Sequence, residues 1–172
     1  MGSAFTNHNS MAELSIRVAT MADASAILAL ADRLPAFGPT TRAVAEIADR
    51  ERAALADAIS RPSPGSRLLV AEQPPHGVIG VVLLETRLDY FTNRPHGYVA
   101  ILAVAGEAEG RGVGRALLMA AEDWGRANGF TKLTLAVFAD NRRAKGFYER
   151  QGWSPELETW YKKLGPSSNF TR

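Results

Sequence analysis

The chain has 172 residues, 46% hydrophobic and 22% charged, with 20 Lys and Arg against 18 Asp and Glu for a formal charge of +2. That is the length and balance of one globular domain with a sizeable core, and it lacks the basic run of a nucleic-acid binder. With no cysteine, disulfides, thiolate nucleophiles and thiolate metal sites are excluded; no apolar run reaches the roughly 18 residues of a membrane span, so a soluble cytoplasmic protein is expected.

Residues 1–12 read as a disordered leader or tag-like arm. Met1-Gly2-Ser3-Ala4-Phe5-Thr6 has the form of a myristoylation signal, but a polar stretch and a Met11-Ala12-Glu13 restart follow it. A single domain is predicted over 13–165, with 166–172 as a tail in which Asn169-Phe170-Thr171 is a chance sequon.

Leu14, Ile16 and Val18 alternate with polar or small residues, which predicts a half-buried strand. A helix capped by Thr20 or Asp23 follows, with an apolar stripe of Ile27, Leu28, Leu30, Ala31 and Leu34. A second helix is predicted over 41–60, then two strands, 67–72 and 78–85, joined through the turn Pro74-Pro75-His76-Gly77. Residues 98–104 are nearly all apolar, the pattern of a central strand covered on both faces. A helix over 112–128 stops at Asn128-Gly129, and a strand over 133–138 follows. Strand, helix and strand in that order make a right-handed unit with parallel strands. Asp140 or Asn141 caps a short helix that Gly152 ends, and 159–164 is predicted as a last strand.

The segment 104–118 places Gly110, Gly112 and Gly114 between a buried strand and a helix start. Free N–H groups and the positive end of the helix dipole meet there, and glycines let an anion approach the backbone. Arg111 and Arg115 add positive charge, so a phosphate-bearing cofactor is expected. The spacing fits neither the dinucleotide fingerprint, since Arg115 or Leu117 would fall on its last glycine, nor a P-loop.

Glu109-Gly110-Arg111-Gly112-Val113-Gly114 resembles the R/Q-x-x-G-x-G/A signature of the GNAT superfamily of acyl-CoA-dependent N-acetyltransferases. Asn141-Arg142-Arg143-Ala144-Lys145-Gly146-Phe147-Tyr148, continuing to Gly152-Trp153, resembles that family's N-x-x-A-x-x-F-Y-x-x-x-G-F/W segment. The resemblance spans roughly 14–164, with one departure: Glu109 stands where the family usually has Arg or Gln. It implies a three-layer α/β fold, with a central, mostly antiparallel mixed sheet, one parallel strand pair that splays apart, and flanking helices.

It also implies acetyl-CoA as cofactor, with CoA as product. Leu102, Ala103 and Val104 would line the pantetheine arm, and the N–H near Val104 would polarise the thioester carbonyl. Gly110, Arg111, Gly112, Val113, Gly114 and Arg115 would hold the pyrophosphate, and Asn141 would contact the arm. Tyr148 would donate a proton to the leaving thiolate, while Phe147 and Trp153 are core aromatics. The strand 98–104 carries no Asp or Glu, so Glu85, Asp89, His96 or a water chain is left to take the amine proton, with Glu85 placed first.

The histidines show no metal-ligand spacing, so no metal is expected. Without cysteine, direct attack by the amine in a ternary complex is favoured over an acyl-enzyme. Substrate choice falls to residues 34–42 and 87–97, where Asp89, Tyr90, Phe91 and His96 suit a cationic amine. The acceptor is expected to be a small-molecule amine, with a protein N-terminus or lysine as the alternative; a noncatalytic acyl-CoA sensor is the reading from another class, and a dinucleotide oxidoreductase a distant third. Monomer and homodimer both stay open.

Overall fold

The computed structural model describes residues 13–34 and 41–164. The predicted leader, residues 35–40 of the first substrate segment, and the tail with its sequon lie outside the described residues. The described residues divide into two compact units, one ending at Asn141 and one beginning at Arg142.

The first unit contains β1 (Ser15–Val18), a 3-10 turn (Met21–Asp23), α1 (Ala24–Ala31), α2 (Val44–Ser60), β2 (Ser66–Gln73), β3 (Gly77–Leu88), β4 (Pro95–Val104), α3 (Val113–Ala127) and β5 (Leu133–Leu135). The strands form one mixed sheet in the order β1-β2-β3-β4-β5. Neighbours are antiparallel except β4 and β5, which run parallel as predicted for the strand–helix–strand unit.

The sheet is covered on both sides. Along β3, Ile79, Val81 and Leu83 are buried, and so are Val82 and Leu84, which point the other way. One face meets α3, because a Cβ built on Gly80 would lie 2.9 Å from Val113 and 3.0 Å from Leu117. α1 and α2 pack together and cover the other face, burying Ile27, Leu30, Ile47 and Leu55. A fully buried leucine or isoleucine such as Ile27, Leu55, Leu117 or Leu118 contributes about 1.5–3 kcal/mol of transfer free energy.

Between α1 and the sheet edge, Asp23 is the one buried charged residue among those described. Both terminal nitrogens of Arg17 donate to its carboxylate at 2.8 Å, the Thr20 N–H and hydroxyl donate at 2.8 and 3.0 Å, and Arg17 Nε reaches Glu72 at 2.7 Å. The Arg17 guanidinium holds the Asp23 carboxyl far below the usual carboxylate range, against the opposing effect of burial.

β4 carries the irregularity that shapes the site. Leu83 pairs with Ile101 but Leu84 pairs with Val99, so Ala100 is an extra residue, a β-bulge. Directly opposed residues share a face. Gly97 and Val99 therefore lie with Thr86 and Leu84 on the α3 side, and beyond the bulge Leu102 and Val104 lie with Val82 and Gly80 on that same side.

Three expectations change. The strand predicted over 133–138 is ordered as a strand only over Leu133–Leu135, paired with Gly97, Tyr98 and Val99. β4 continues to Val104 without β5 beside it, so among the described residues Ala100 to Val104 have no strand paired on that side. β4 alternates buried and half-buried residues instead of being covered on both faces, His96 and Tyr98 near β5 included. Residues 89–94 alone form the connection predicted over 87–97, because β3 and β4 extend into its ends.

In the second unit, α4 (Arg142–Arg150) ends as predicted, with Gly152 at φ 84° and its N–H donating to the Glu149 carbonyl at 3.0 Å. Phe147 and Trp153, predicted as core, are half-buried, because α4 buries no residue completely. No strand forms over 159–164. Trp160 and Tyr161 are adjacent, as are Lys162 and Lys163, so no period-2 face develops; Trp160 is 86% exposed.

Candidate active site

The glycine-rich turn lies between the unpartnered end of β4 and the first turn of α3. Ala105 donates to Ile79, a 3-10 turn spans Gly106–Ala108, and Gly112 caps α3 with φ 83°, a left-handed conformation that favours glycine. The first intrahelical bond runs from the Ala116 N–H to the Gly112 carbonyl at 3.0 Å. The N–H groups of Val113, Gly114 and Arg115 thus precede the helical ladder and point outward.

Gly110, at φ 73°, and Gly112 have no atom within 4 Å of where a Cβ would stand. The turn is open there, so an anion can approach the backbone and the helix-end donors. This donor set suits a pyrophosphate. Beside it, the open edge of Ala100 to Val104 offers backbone groups to a peptide-like arm.

The structure brings Leu102, Ala103, Val104 and the residues Gly110 to Arg115 together in the first unit. Arg115 is exposed, while Arg111 donates to Gln73 at 2.8 Å, bracing the turn against the β2–β3 hairpin. Glu109 does not stand alone: Arg33 Nη2 donates to its carboxylate at 2.7 Å. Asn141 closes the first unit. Tyr148 belongs to the second, where it is half-buried with ring centroids 5.3 Å from Phe147 and 6.0 Å from Trp153.

The three base candidates differ in what they already hold. Glu85 pairs with Tyr98 across the strands, and its carboxylate accepts from Arg87 at 2.9 and 3.1 Å. The Arg87 guanidinium in turn lies 3.3 Å over the Tyr98 ring. Asp89 is committed to its loop: it accepts from the Phe91 and Thr92 N–H groups, the Thr92 hydroxyl and Lys132. These donors hold its carboxyl at about 2. His96 Nε2 lies 3.0 Å from the Thr134 hydroxyl, and its Nδ1 is buried without a partner. Tyr90 and Phe91 stack edge-on at the loop tip and are largely exposed.

A recess of about 240 Å³ opens between α2 and Phe138, lined by Arg42, Glu46, Ile47, Arg50 and Glu51. Burial raises the Glu51 carboxyl above its ordinary value. Among the described residues no group of His, Cys, Asp and Glu is placed to hold a metal, and no helix is long and apolar enough to cross a membrane.

Three residues went unnoticed in the sequence. Gly80 lets α3 approach the sheet, and its isolation inside an apolar strand was a signal of close approach. Gly106 makes room for the Arg33 guanidinium. Arg33 is 76 residues from Glu109, and the unexpected acid at 109 was the only sign that a cation stood near it.

The model of the Acetyltransferase (GNAT) family matches residues 32–153. Over 59 residues the chain is 42% identical to a mycothiol acetyltransferase from Beutenbergia cavernae, a match covering 34% of this chain and 20% of that protein's length. A putative acetyl transferase from Pyrococcus furiosus has the same fold, with TM-score 0.71 and 24% identity, covering 88% of this chain and 100% of that one. An aminoglycoside N-acetyltransferase in complex with CoA matches with TM-score 0.67 and 17% identity, covering 88% and 95%.

Proposed function

The chain belongs to the GNAT family of acetyltransferases, and on that footing we propose that it moves the acetyl group of acetyl-CoA to the amine of a small molecule by direct attack in a ternary complex. The observation that carries this is the pairing of an open glycine cradle at the start of α3 with the unpartnered edge of β4. The CoA held by the aminoglycoside enzyme of the same fold supports the cofactor. The names of that enzyme and of the mycothiol relative support a small acceptor.

Acetyl-CoA supplies an activated acyl group whose C–S bond is exchanged for the C–N bond of an amide. The chain provides position and proton traffic. The N–H groups of 113–115, with Arg115, hold the pyrophosphate; Leu102, Ala103 and Asn141 hold the arm. The Val104 N–H polarises the thioester carbonyl. Glu85 accepts the proton that the ammonium loses, releasing Arg87 as it does so, and Tyr148 returns a proton to the thiolate sulfur.

A thermal-shift screen with acetyl-CoA, CoA and NAD tests the cofactor, since a ligand of the native state raises the melting temperature. Free-thiol release across a panel of amines then tests the acceptor against a background without cysteine. No shift with either CoA species removes the reading; binding without turnover on any amine or peptide turns it into a sensor. Tyr148→Phe should lower kcat by about a hundredfold at unchanged CoA affinity, and an unchanged kcat with chemistry rate-limiting would remove Tyr148 from the mechanism.

A further inference from the structure

Glu109 puts a carboxylate on the very turn whose N–H groups suit an anion, and the fold answers it from the far end of α1. Arg33 lies two residues beyond that helix, anchored by its N–H on the Leu30 carbonyl at 3.2 Å. Its guanidinium crosses to the turn, where Nη2 reaches Glu109 at 2.7 Å. The same guanidinium lies over Gly106: a Cβ there would collide with Nη1 and stand 3.2 Å from Cζ. Two features therefore converge on one contact, the ion pair and the missing side chain that admits it. Both side chains are more than half covered, at 39% and 30% exposure, so the pair is less screened than a fully solvated one.

We propose that Arg33 is a positioning residue for the phosphate cradle. It draws the Glu109 carboxylate toward Gly106, at the strand end of the turn, and cancels its charge, so that the N–H groups at the helix end present a positive field to the CoA pyrophosphate. This rests on the acetyl-CoA reading above. Arg33 acts through Glu109, so its loss should harm binding only while Glu109 remains charged.

The test is CoA titration calorimetry on the full chain for the wild type, Arg33→Met, Glu109→Gln and the double variant, with thermal shifts by inorganic pyrophosphate in parallel. Arg33→Met should weaken CoA binding about tenfold and raise the KM for acetyl-CoA without lowering kcat. The double variant should return to within threefold of wild type, and Glu109→Gln alone should bind no more weakly than wild type. Arg33→Met within twofold of wild type overturns the proposal, as does a double variant as weak as Arg33→Met. Should Arg33→Met fail to fold, Glu109→Gln decides alone: weaker CoA binding by that variant overturns the proposal. Wild-type binding of pyrophosphate but not CoA, with the variants in the expected order, keeps the role of Arg33 and removes only the cofactor. Binding of neither removes both.

Discussion

Two sets of glycines serve this molecule for opposite reasons. Gly110 and Gly112 on the cradle have left-handed backbones and empty space where a side chain would go. Gly80 and Gly97 in the sheet have no such conformation, and no space either: a Cβ on Gly97 would collide with Leu133 and lie 2.9 Å from Trp124. The first set keeps a surface open to a ligand, whereas the second lets α3 sit down on the sheet. Damage should therefore sort by place, with lost affinity at the cradle and lost stability in the sheet.

The largest effect expected is at Gly112. Gly112→Val puts a branched side chain where the turn is open and should weaken CoA binding at least a hundredfold, while backbone strain costs the fold about 1–2 kcal/mol. A valine variant with near wild-type affinity in a titration would break the contrast at its cradle side. Next comes Gly97→Ala, for which overpacking against Trp124 and Leu133 predicts a loss of about 1–3 kcal/mol in denaturant unfolding, with CoA affinity within twofold of wild type. An alanine variant as stable as wild type would break the other side.

The smallest change touches neither set. Asp23 has a folded pKa below its unfolded value of about 3.9, so its ion pair with Arg17 stabilises the fold fully above that value and loses this contribution as pH falls through the lower one. Wild type should lose melting temperature between pH 5 and pH 2 more steeply than Asp23→Asn. Equal slopes would assign acid sensitivity elsewhere, such as Glu72 or Asp89, whose carboxyls are also depressed.

That sorting also explains what was legible beforehand. Element order followed from local patterns: alternation in β1, the Pro-Pro-His-Gly turn between β2 and β3, the Asn128-Gly129 stop of α3. Gly110 and Gly112 announced the cradle because a conformational need and a motif coincide there. The end of β5 was not legible, since an apolar run persists to Phe138 while the ladder partner departs after Val99. The last predicted strand failed for the same reason: hydrogen bonds to a neighbour make a strand, and a local sequence does not contain its neighbour. Arg33 was hidden by distance along the chain.

The bulge at Ala100 has a consequence for how β4 can change. Up to Val99 the strand's α3-side residues belong to the packing of Trp124 and Leu133 and its edge is paired with β5; after Ala100 that edge is open beside the cradle. One strand is thereby split into two modules of opposite phase, free to diverge separately. Removal of the single residue Ala100 would close the bulge with every cross-strand pair kept, Leu83 opposite Ile101 and Val82 opposite Leu102, so Leu102 and Val104 would hold their face and only the local bend and twist beside the cradle would change.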